Sequence, residues 1–141
     1  MVGIRTKGGQ GMVEELKSDF QNLQVWQKCR EIRIIIWKLC KEFPSEERFR
    51  LSDQMIRASR SSTSNIAEGY GRFHFQENIQ FCRQSRGSLF ELMDHVLVAE
   101  ECEYIDEKIR ETLIDHIISA VRLLNGYIKY LKTRKNETLS A

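Results

Sequence analysis

The stretch LQVWQKCREIRIIIWKLCKEF, residues 23–43, decides the fold. Its apolar positions Val25, Cys29, Ile32, Ile36, Leu39 and Phe43 follow one another by steps of 4, 3, 4, 3 and 4. That spacing draws one stripe along an α-helix packed in a bundle. Trp26, Ile35 and Trp37 lie off the stripe, and widen the apolar surface or make a second one. Pro44, the only proline of the chain, ends the helix.

Working outward, three more helices are predicted. Ser45 is placed as an N-cap, with Glu46 and Glu47 at the positive end of the helix dipole. The second helix then runs to Glu68 with Leu51, Met55, Ala58, Ser62 and Ile66 inward. The Gly69-Tyr-Gly71 segment stops it, with a glycine in the left-handed conformation. Asn65 and Glu68 are expected to bond the following turn, and Arg72 to pair with Glu68. The third helix spans Phe75 to Glu103, with Ile79, Cys82, Leu89, Met93, Val96 and Ala99 inward. Gly87 falls inside it and predicts a close helix crossing. Asp106 is the N-cap of a fourth helix that runs to Lys132. Its seam is Leu113, Ile117, Ala120, Leu124, Tyr127 and Leu131, with a second alongside at Ile114, Ile118, Val121 and Ile128.

Residues 12–68 contain no glycine, which argues against an all-β fold with its frequent turns. The prediction is all-α: an antiparallel up-down-up-down four-helix bundle over residues 18–133. A glycine-rich lead-in, residues 1–17, precedes it, and a polar tail, 134–141, follows. The broad apolar stripe of the fourth helix, with Trp26 and Trp37, predicts a second buried surface and a homo-oligomer. The interface candidates are Trp26, Trp37, Ile114, Ile118, Val121 and Ile128.

The 141 residues, 41% hydrophobic and 30% charged, suit one globular domain. The longest apolar run is Ile34 to Trp37, far short of a membrane span, and the first residues lack a signal peptide's apolar core. A cytoplasmic location is expected. Cys29, Cys40, Cys82 and Cys102 form no metal or redox spacing and read as buried thiols.

Chemistry is sparse. Asp94-His95 and Asp115-His116 repeat a dipeptide, but neighbours on a helix do not face each other. Glu91 and His95 are four apart, not the three of di-iron bundles. No catalytic residue, metal or cofactor is expected. Charge is more telling. Residues 48–86 carry seven Lys/Arg against three Asp/Glu, residues 87–116 two against nine, and residues 117–141 five against one. Candidate nucleic-acid contacts are Arg57 and Arg60, Arg72, Arg83 and Arg86, then Lys129, Lys132, Arg134 and Lys135. Tyr70, Phe73 and Phe75 near Arg72 are stacking candidates, or staples at the bundle end.

These residues also fall into a recognisable set. Phe20-Gln-Asn-Leu-Gln-Val-Trp-Gln27, Phe43-Pro44, Glu47, Leu51-Ser-Asp-Gln54, Arg57-Ala58, Ser64-Asn-Ile-Ala-Glu-Gly69, Gly71-Arg72, Phe81, Arg86-Gly-Ser-Leu89 and Glu91-Leu92 stand in register. The chain resembles, from Phe20 to Leu131, the four-helix-bundle proteins encoded in intervening sequences of bacterial 23S rRNA genes. The resemblance implies a barrel-like homopentamer. It also extends to the accessory variability proteins of diversity-generating retroelements, non-catalytic partners of a reverse transcriptase and its template RNA. The family usually carries aliphatic residues at the positions of Arg60 and Ser62, and often proline at Thr63. The polar, basic run here predicts an altered subunit contact or a surface turned to a partner.

Two functions follow as expectations. One is a non-enzymatic oligomeric scaffold for RNA or other nucleic acid, with a reverse transcriptase as further partner. The other is a protein–protein assembly module without a nucleic-acid role.

Overall fold

The computed structural model describes residues 20–140; the predicted lead-in, residues 1–17, lies outside them. Four α-helices follow one another: α1 (Gln24–Cys40), α2 (Leu51–Gly71), α3 (Phe75–Glu101) and α4 (Glu107–Ser140). Short 3-10 turns occupy Phe20–Asn22 and Ser45–Glu47. Each helix packs on its chain neighbours and α4 closes on α1, while the diagonal pairs stay apart. That is the predicted up-down-up-down arrangement, without a strand among the described residues.

The stripe of α1 is buried as the periodicity demands: Val25, Cys29, Ile32 and Ile36 meet Met55, Ala58 and Ile66 of α2 in one core. Leu89, Leu92 and Val96 of α3 and Leu113, Ile117 and Leu124 of α4 complete it. Each such leucine or isoleucine contributes about 1.5–3 kcal/mol of burial. Burial also pushes the thiols up, Cys29 and Cys40 to about 11 and Cys82 to about 12, so all three stay protonated and inert at neutral pH.

Several local expectations are corrected. Ser45 opens only the 3-10 turn; α2 starts at Leu51, whose N–H donates to Glu47 Oε2 at 3.0 Å. The other oxygen of that carboxylate accepts the Tyr104 hydroxyl at 3.0 Å, tying the α1–α2 corner to the α3–α4 corner. Helix α2 does not stop at Gly69. It runs through Gly71, and the left-handed residue is Phe73, at φ 53°. Gly69 serves close packing instead: a Cβ there would stand 2.8 Å from Asn78 Oδ1 and from Phe81 Cβ on α3. Asn65 bonds backward, its amide nitrogen donating to the Ser61 carbonyl, not to the following turn. Gly87, expected at a crossing, is exposed, with open space where its Cβ would be. Asp106 caps α4 as predicted, accepting the Ile109 N–H at 2.8 Å. The predicted polar tail is helical up to Ser140.

The polar run of α2 divides by helical phase. Ser59, Ser62 and Thr63 are buried, and Ser62 Oγ donates to the Ser59 carbonyl at 2.7 Å. Ser85 Oγ of α3 donates to the Ser62 carbonyl at 2.7 Å. Small side chains whose hydroxyls bond locally let α2 and α3 approach closely with their polar atoms satisfied. Arg60 and Ser64, on the other phase, are exposed.

Candidate nucleic-acid interface

Along α1, Trp26, Arg30, Arg33, Trp37 and Lys41 recur at steps of 4, 3, 4 and 4 and share one face. That face borders α2, where Arg60 and Thr63 lie opposite. Arg33 Nη1 donates to Thr63 Oγ1 at 2.9 Å, and its guanidinium stands 5.9 Å from the centre of the Trp26 ring. Arg60 stands 5.4 Å from the Trp37 ring, and the Lys41 ammonium 5.0 Å from it. Phe20 meets Trp26 edge-on at 5.3 Å. Cations over ring faces are held in place by the ring quadrupole. The result is a groove in which rings and positive charges alternate.

None of Arg30, Arg33, Lys41, Arg48 and Arg60 lies within ion-pair distance of a carboxylate among the described residues. Helix α1 carries one acidic residue, Glu31, which pairs with Lys28 on the α4 side. Residues 54–67 of α2 carry none. Among the described residues the groove's cations are therefore matched by rings and a hydroxyl, not by carboxylates.

The other predicted basic residues are placed apart from this groove. Arg57 is exposed and pairs with Asp53 at 3.0 Å. Arg72 pairs with Glu68 at 3.1 Å, as predicted, and packs over Phe81. Phe73 beside it is exposed and meets Tyr70 edge-on at 6.4 Å, whereas Phe75 packs against the core. Lys135 Nζ donates to Gln76 Oε1 at 2.6 Å and Arg134 pairs with Glu137, while Lys129 and Lys132 are exposed near the same end. Arg83 is exposed on α3, and Arg86 Nη1 donates to Asn125 Oδ1 of α4 at 2.8 Å. Only Arg60 of the predicted set joins the groove. Arg30, Arg33 and Lys41 were missed, although the recurrence of Arg and Trp from Trp26 to Lys41 was there to find them.

The predicted interface residues also separate. Trp26 and Trp37 line the groove. Ile128 is in the core, 4% exposed, and is corrected from interface to interior. Ile114, Ile118 and Val121 are half-buried on the edge of α4 that meets α3. The Arg86–Asn125 bond and the Arg110–Glu100 ion pair at 3.0 Å bracket that edge. Between them α3 adds Phe90, Met93 and Leu97, of which Phe90 is 55% and Leu97 44% exposed. This apolar edge lies across the bundle from the groove.

His95 Nε2 sits 3.7 Å from Glu91 Oε1, and Lys28 Nζ lies 2.8 Å from His116 Nδ1. No group of three metal-ligating side chains occurs among the described residues. No described helix is long and apolar enough to cross a membrane.

Residues 21–126 match the family described as 23S rRNA-intervening sequence protein. A solved protein of unknown function from the S23 ribosomal protein family of Bacteroides thetaiotaomicron shares the fold, with a TM-score of 0.69 and 24% identity. The similarity covers 74% of this chain and 95% of that one. No curated protein matches the chain.

Proposed function

We propose, from the premise that this chain belongs to the 23S rRNA-intervening sequence protein family, that it is a non-enzymatic scaffold binding RNA along the α1–α2 groove. The observation that carries the reading is the row of cations without carboxylates, interleaved with two indoles. Clustered cations bind phosphates by releasing counterions, and aromatic faces add contacts to bases. The apolar α3–α4 edge, opposite the groove, supports self-association through a second copy. Several grooves on one assembly then act together, and avidity exceeds the affinity of any single groove. The reverse transcriptase of a retroelement, with its structured RNA, is the further partner of this reading.

The test is a charge reversal. Arg33→Glu with Arg60→Glu is expected to lower retention of RNA in filter binding by about a hundredfold, or about 2.7 kcal/mol. The assembly mass by light scattering stays unchanged. If the same reversal breaks the assembly and the parent protein retains no RNA, the chain is an assembly module.

A further inference from the structure

The groove ends in a cavity of about 330 Å³ at the corner between α1 and α2. Trp37, Phe43, Pro44 and Ile56 form its apolar walls, and Lys41 and Arg48 bring positive charge to it. No carboxylate lines it. Glu47, the acid nearest in sequence to Arg48 on the helix side, is spent on the Leu51 N–H and the Tyr104 hydroxyl. The Cys40 thiol in the wall donates to the Ser52 carbonyl at 3.9 Å and holds no negative charge at neutral pH.

On the other side of Trp37 lies a second hollow of about 220 Å³, lined by Arg33, Ile34 and Arg60. The indole, 45% exposed, is thus a partition with cations on both sides. A third hollow, of about 430 Å³, joins Trp26 and Phe20 to Arg33, Arg60 and Thr63. Trp26 and Trp37 are eleven residues apart on α1, about 16 Å along the axis.

We infer that the groove is a track for single-stranded RNA, and that an unpaired base seats beside Trp37 with its phosphates on Arg33 and Arg60 before it and on Lys41 and Arg48 after it. This deepens the reading above and rests on it. The argument is steric as well as electrostatic. A cavity of this size, with flat apolar walls, admits a ring system that has left its stack. A base inside a duplex does not reach into it, since only an unstacked base exposes both faces. A flat surface of lysines would bind duplex and single strand alike; an indole between two charged hollows discriminates between them.

The experiment uses the full chain carrying Trp26→Phe, so that tryptophan emission reports Trp37 alone. An octamer of adenosine ribonucleotides and a blunt-ended, fully paired RNA duplex of higher total charge are titrated against it. Expected are quenching of Trp37 by the octamer and at least tenfold tighter binding of the octamer than of the duplex. Trp37→Leu is expected to cost about tenfold for the octamer, while Trp37→Phe restores most of it. Equal binding of both RNAs with unchanged Trp37 emission overturns the base seat and leaves the phosphate-binding scaffold standing. Binding of neither RNA by the parent chain, titrated alongside Trp26→Phe, overturns both.

Discussion

Two opposite edges of the same bundle meet their surroundings in different ways. On the α1–α2 edge, Arg33, Lys41 and Arg60 lie against ring faces and pair with no carboxylate among the described residues. On the α3–α4 edge, Arg110 is paired with Glu100 and Glu107, and Arg86 with Asn125. Between those polar clasps, Phe90 and Leu97 are left bare. A charge already paired within the chain gains little from a phosphate, while an unpaired cation held by an aromatic ring pays little reorganisation when one arrives. An apolar strip gains only by burial against another surface. The difference is one of chemistry: cations against rings on one edge, bare apolar side chains between paired charges on the other.

Breaking the apolar edge gives the largest expected effect. Phe90→Glu with Leu97→Glu is expected to reduce the assembly to single copies by light scattering. RNA retention then falls a hundredfold or more as avidity is lost, with the groove itself intact. A smaller effect tests the seam that holds the groove's second wall in place. Gly69→Ala, whose new Cβ meets Asn78 and Phe81, is expected to lower stability by about 2 kcal/mol in urea unfolding. Gly87→Ala sharpens the contrast from the other direction. That residue is helical, exposed and unopposed, so alanine there is expected to add about 0.5–1 kcal/mol.

The helical architecture was legible because it rests on periodicity. Val25, Cys29, Ile32, Ile36 and Phe43 bury as their steps require, while Leu39 stays half-buried beside a buried Cys40, and Asp106 caps as its chemistry suggests. Glycine was less legible. Gly69 and Gly87 look alike in a string of letters; one sits against α3 and the other faces open space. Only the rotation of each helix about its axis separates them. The same rotation divides the serine-rich run of α2, read as an altered subunit contact or a surface turned to a partner. Ser59 and Ser62 satisfy themselves on neighbouring carbonyls inside the bundle, and Arg60 between them points out.

The candidate site was half legible. Arg60, Trp26 and Trp37 were singled out, but under two separate roles, and the cations of α1 were passed over. Charge counted along the chain favoured residues 48–86, while the groove draws on α1 and α2 together. A site made by two helices side by side appears as a sum only when their facing residues are added. Conversely, Arg57, Arg72 and Arg134 look available in the sequence and are engaged by Asp53, Glu68 and Glu137 one turn away.

Helix α4 outlasts its neighbours. Its 34 residues span about 51 Å, twice the length of α1, and its last core residue is Leu131. Leu139, eight residues further on, stands about 12 Å beyond that anchor and is 76% exposed. A stiff rod clamped along part of its length is a lever. A tilt of about 5° at Leu131 carries Leu139 through about 1 Å. Beyond Leu131 the Lys135–Gln76 hydrogen bond still ties α4 to α3, so a tilt at that end of the bundle is carried along one stiff helix to Leu139.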